Sequence, residues 1–121
     1  MRESKFRAWD TKRREMRTGP NLLVGFDGSI YWQFGFNEPE IQDPDKFILM
    51  QFTGLYDKNG KEIWEGDVVG HGWQNSEIGE VIWRGYGFRV ERPGSSDLHF
   101  NHPEQFEVLG NVYEHGHLLN A

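Results

Sequence analysis

Cysteine is absent from the 121 residues, which excludes disulfides and thiol catalysis and suits a reducing compartment. Long apolar runs are missing too. Nothing approaches the roughly 18 residues needed to span a bilayer, and the basic start leads into alternating residues rather than a signal-peptide core. A soluble, cytoplasmic protein with no membrane partner is expected. Alanine and leucine are scarce, and no window carries an apolar stripe at helical spacing over three turns, so any helix is short. The glycine-rich residues 70–79 lack a following Gly-Lys-Ser/Thr, so they read as a flexible loop and not as a phosphate cradle.

What is abundant points to strands and turns. Fifteen glycines and eighteen aromatic side chains suit tight turns and pleated surfaces. Lys5-Phe6-Arg7-Ala8-Trp9, a polar turn at residues 10–13 and the returning residues 14–17 read as a first hairpin, with Phe6 and Ala8 facing inward and Arg7 and Trp9 sharing the other face. A second hairpin pivots on Asp27-Gly28, a dipeptide suited to a type I′ turn, with Ile30, Trp32, Phe34 and Phe36 at period two after it. Residues 37–46, with two prolines and four acids, form a connecting loop and the subdomain boundary. After it come short strands around Asn59-Gly60 and Gly85-Tyr86-Gly87, and a final strand over residues 106–113. The expected architecture is mainly β: N-terminal β-hairpins over residues 1–46 and a small SH3-like β-barrel over residues 47–121.

The net charge of -6 conceals a division. Residues 1–17 carry seven basic side chains (Arg2, Lys5, Arg7, Lys12, Arg13, Arg14, Arg17) against three acids, whereas the remaining 104 residues carry six basic and sixteen acidic ones. An acidic body repels phosphate, while a basic end can touch nucleic acid, an acidic partner or a second subunit.

The segment Leu49-Met50-Gln51-Phe52-Thr53-Gly54-Leu55-Tyr56-Asp57-Lys58-Asn59-Gly60-Lys61-Glu62-Ile63-Trp64-Glu65-Gly66-Asp67-Val68-Val69 resembles the core motif of the YopX family. The opening Met1-Arg2-Glu3-Ser4-Lys5-Phe6-Arg7-Ala8-Trp9-Asp10 and the closing Val108-Leu109-Gly110-Asn111-Val112-Tyr113-Glu114 are similar to that family's ends. The resemblance implies a phage or prophage lineage and a mainly β architecture, but no reaction. Read residue by residue, the central motif is structural: Gly60 and Gly66 permit backbone angles a Cβ opposes, and Asp57 accepts hydrogen bonds from turn amides.

Three functional readings follow. The first is a non-catalytic, self-associating binding or assembly module, a homo-oligomer, with Arg7, Trp9, Arg13 and Arg14 as contact residues. The second uses the same four for nucleic acid, Trp9 stacking on unpaired bases between arginines. The third is a hydrolase whose acids are Glu62, Glu65 or Asp67. No histidine, nucleophile or phosphate loop accompanies those acids, so no catalytic residue and no cofactor is expected. The close pairs His99 with His102 and His115 with His117 lie in loop-like surroundings without a third ligand type, and no metal site is expected there. Trp32 and Trp83 fall on alternating strands and are expected in the core, wholly or in part; Trp9, Trp64 and Trp73 lie near turns, where a side chain can be exposed.

Overall fold

The computed structural model describes residues 5–19 and 21–120. The first four residues of the N-terminal motif, with the Arg2 of the basic cluster, lie outside the described residues. The chain is mainly β and divides after Gln51 into two compact units. That division falls within a strand that follows the acidic loop.

In the smaller unit, β1 (Phe6–Asp10) and β2 (Glu15–Arg17) form the first hairpin. On its other side β1 pairs antiparallel with the first half of β6 (Phe47–Tyr56), Phe6 opposite Gln51 and Asp10 opposite Phe47. A separate three-stranded sheet has the order β3 (Leu22–Val24), β4 (Ile30–Trp32), β5 (Glu40–Ile41). Trp32 meets Phe47 edge-on at 6.4 Å, and the Arg17 guanidinium lies 4.9 Å over its ring. Two expectations change here. Strand β4 stops at Trp32, so Phe34 and Phe36 lie in a loop, exposed, instead of completing an apolar strand face. The second hairpin is not type I′, because Gly28 alone takes a positive φ (85°) while Asp27 bonds the Ser29 amide through its side chain.

In the larger unit the second half of β6 pairs with β7 (Glu62–Trp64). The ladder shifts between Phe52 and Leu55, at a bulge where Gly54 sits at φ 82°. Thr53 repairs the break: its buried hydroxyl donates to the Ile63 carbonyl at 2.6 Å and accepts the Leu55 amide at 3.1 Å. A four-stranded antiparallel sheet then runs β10 (Phe88–Glu91), β9 (Glu77–Trp83), β8 (Asp67–His71), β11 (Glu107–Asn111) and curls as half a barrel. Its inner face and the neighbouring loops bury Ile63, Val69, Val81, Val90, Phe100 and Phe106 as one core. Each such side chain contributes about 1.5–3 kcal/mol on leaving water. Gly79 is required here for space, since a Cβ would come within 2.6 Å of the Glu91 carbonyl oxygen.

The chain end departs from the expected strand over residues 106–113. Strand β11 stops at Asn111, whose side chain accepts the amides of Tyr113 and Glu114 at 3.0 Å and so starts α1 (Val112–His115). The flexible loop expected over residues 70–79 is also shorter. Strand pairing reaches His71 opposite Glu77, and only the turn between them remains.

Candidate interaction surface

The first hairpin ends in a built turn. The Asp10 carboxylate accepts the Lys12 and Arg13 amides at 3.0 and 2.9 Å, and its carbonyl accepts the Arg14 amide at 2.8 Å. The Arg13 amide does most to hold the Asp10 carboxyl below its ordinary range; burial opposes this, and the Lys12 amide and Arg17 add to it. Arg14 takes a left-handed φ of 56°. The Thr11 amide and hydroxyl both donate to the Lys46 carbonyl, at 2.9 and 3.0 Å. Lys12, Arg13 and Arg14 are therefore exposed on an ordered turn.

Arg7 and Trp9 are elsewhere. Both are buried, at 8% and 4% exposure, and so is every residue from Arg7 to Asp10. The four contact candidates thus form no single open face: two lie in the interior and two on the turn. Alternation had suggested one wet side for β1, but Arg7 and Trp9 on one face and Ala8 and Asp10 on the other are all buried. A buried indole offers no platform for a base.

The larger unit holds an open cavity of about 430 Å³, lined by Thr53, Leu55, Trp83, Tyr86, Phe88 and Phe100. Trp83, expected wholly or partly in the core, is 47% exposed, because it stands at the end of β9 against Phe88 (5.0 Å, edge-on), past the cover of the core. The other tryptophans also sort by tertiary context: Trp32 and Trp64 are buried, whereas Trp73 is 83% exposed. Trp73 precedes Gln74 and Asn75, both at φ 53°. Asn75 is held there by its bond to Glu107 at 2.8 Å. The cavity walls carry no titratable side chain other than the Tyr86 phenol, so the chemistry they offer is apolar and aromatic contact.

The motif carboxylates are scaffold groups. Asp57 is buried and accepts three amides: Asn59 and Lys61 at 2.8 Å through Oδ1, Val108 at 2.9 Å through Oδ2. Burial pushes its carboxyl up, but the Val108, Lys61 and Asn59 amides together hold it below the usual range. Gly60 (φ 79°) closes that turn, and Gly66 (φ 87°) closes the next, where its amide donates to Val81 and its carbonyl accepts from Val112. Asp67 is buried and accepts the Trp64 amide at 2.7 Å. Glu62 and Glu65 are half-buried. Sequence reasoning missed Glu80, whose carboxyl is pushed up chiefly by burial and further by Glu91 and Glu65. Its signal was an acid inside the apolar strand Gly79-Glu80-Val81-Ile82.

The histidines stay apart. His99, His102 and His117 are exposed, and His115 Nδ1 accepts the Asn111 amide at 3.2 Å. Among the described residues no group of three or more His, Cys, Asp or Glu is placed to hold a metal. Nor is any helix among them long and apolar enough to cross a membrane.

The YopX protein family model matches residues 5–120. Among solved structures, the chain is similar to protein EF1440 from Enterococcus faecalis, at 29% identity over 98% of this chain and 99% of that one, with a TM-score of 0.68. It is also similar to protein yopX from Bacillus subtilis, at 18% identity over 98% of both chains, with a TM-score of 0.65; this second likeness concerns the fold alone. No curated protein matches the chain.

Proposed function

The chain belongs to the YopX family, and from that premise we propose that it is a phage- or prophage-encoded, non-catalytic binding or assembly module that associates with copies of itself. The phage or prophage origin rests on the family resemblance. Self-association rests on one observation: ten large apolar side chains are exposed among the described residues, and Phe26 and Phe36 lie fully in solvent. Six of the ten fall between positions 23 and 48, and exposed apolar side chains that are grouped support a contact where scattered ones do not. The non-catalytic reading is supported by Asp57, both of whose carboxylate oxygens accept backbone amides, by Asp67, whose Oδ2 accepts the Trp64 amide, and by the apolar lining of the open cavity.

A nucleic-acid accessory role is the second reading, favoured by the exposed Lys12, Arg13 and Arg14. Light scattering and filter binding with single- and double-stranded DNA, on the parent and on Arg13→Glu/Arg14→Glu, separate the two. Self-association predicts an oligomer whose assembly the double substitution weakens. The accessory role predicts salt-sensitive DNA binding that the same change abolishes. A monomer with nanomolar DNA affinity at physiological salt would reverse the order.

A further inference from the structure

The register of the three-stranded sheet sets Leu23 opposite Tyr31, and Tyr31 opposite Ile41. Directly opposed residues share a face, so one side of this sheet carries an apolar row across all three strands. The reverse side contributes Ile30 and Trp32 to the interior, whereas Leu23 is 39% and Ile41 67% exposed. The segments next to these strands leave Phe26, Phe34 and Phe36 in solvent as well. With Ile48, six of the ten exposed large apolar side chains fall between positions 23 and 48.

Charge decides what kind of surface covers this row. The turn at 11–14 exposes Lys12, Arg13 and Arg14, and the segment at 38–45 exposes Glu38, Glu40, Asp43 and Asp45. The two bonds from Thr11 to the Lys46 carbonyl set the cationic turn beside the end of the acidic segment. Among the described residues none of these seven charges is in an ion pair. An anionic lipid surface or a nucleic acid is repelled by the four acids, and a wholly acidic partner leaves them unmatched. A second copy brings both signs. About a two-fold axis, a patch with separate segments of opposite charge complements itself.

Resting on the self-association reading above, we propose that the Leu23–Tyr31–Ile41 row is the contact with a second copy of this chain, related by a two-fold axis, the cationic turn of each copy meeting the acidic segment of the other. The contact combines apolar burial with ion pairs at its margin, so rising salt loosens it without abolishing it.

Sedimentation velocity on the full chain at micromolar concentration tests this, with circular dichroism to verify folding. Leu23→Asp/Ile41→Asp is expected to run as a 14.2 kDa monomer with an unchanged spectrum. Arg13→Glu/Arg14→Glu and Glu38→Lys/Asp45→Lys should each weaken assembly at least about tenfold, and a one-to-one mixture of the two should restore it, because the reversed charges then match. If the apolar variant does not fold, the charge-reversal mixture decides alone. Parent-like assembly of the folded apolar variant, or no recovery on mixing, would overturn this surface and leave self-association standing. A parent that is monomeric throughout, including one that sediments with anionic vesicles, would overturn both.

Discussion

Asp57 Oδ2 accepts the Val108 amide at 2.9 Å across 51 residues of sequence, while Oδ1 of the same carboxylate holds the Asn59 and Lys61 amides. One side chain therefore shapes the turn before β7 and ties it to β11. Asp57→Asn turns an NH₂ group toward one of these donors, and unfolding in urea at pH 7 should show a loss of about 1–3 kcal/mol. The carboxyl is held below its ordinary range, so its contribution is complete above about pH 4 and fades as pH falls through the lower folded value. The gap between parent and variant should narrow on acidification. Equal stabilities at pH 7 would contradict the clamp.

Gly60 sits at φ 79° with open space where a Cβ would go. Strain is then the whole cost of a side chain. Gly60→Val should lose on the order of 1–2 kcal/mol, more than the same change at Gly87, whose φ is not left-handed and which is equally open. Matched melting midpoints for the two variants would refute this.

Glu80 carries the opposite pH signature to Asp57. Its carboxyl is raised by burial, with Glu91 and Glu65 adding to it. A carboxylate raised in the folded state binds its proton more tightly there, so it costs stability as pH climbs above its unfolded value of about 4.3. Glu80→Gln should melt higher than the parent at pH 7, and the difference should close near pH 4. A lower melting temperature for the variant at pH 7 would mean that the carboxylate has a stabilising partner.

Chelation should not matter to stability. His115 is engaged with the Asn111 amide, and no cluster of ligands converges among the described residues. Melting curves with and without EDTA should coincide. A drop of several degrees that zinc restores would place a metal on His99, His102, His115 or His117 after all.

Local chemistry was readable in the chain and tertiary cover was not. The turns at Asp10, Asp27-Gly28, Asn59-Gly60 and Gly66 lie where glycine and aspartate place them, because each is built within a few residues. Their type was less readable: Asp27 and Asn59 keep negative φ and only the glycine crosses over. The final helix had a visible start in Asn111-Val112-Tyr113-Glu114, a cap followed three residues later by an acid. Which tryptophan faces solvent followed no local pattern, since Trp9 near a turn is buried and Trp83 on a strand is open. Of the interaction surface, the cationic turn was legible from composition. The Leu23–Tyr31–Ile41 row was not, because it exists only once two pairings fix the register.

Solution mass is the most direct test of the claim that this protein works by association. Light scattering across the micromolar range should give a multiple of 14.2 kDa that falls toward the single-chain value as salt rises. A mass of one chain at every concentration and salt would contradict it.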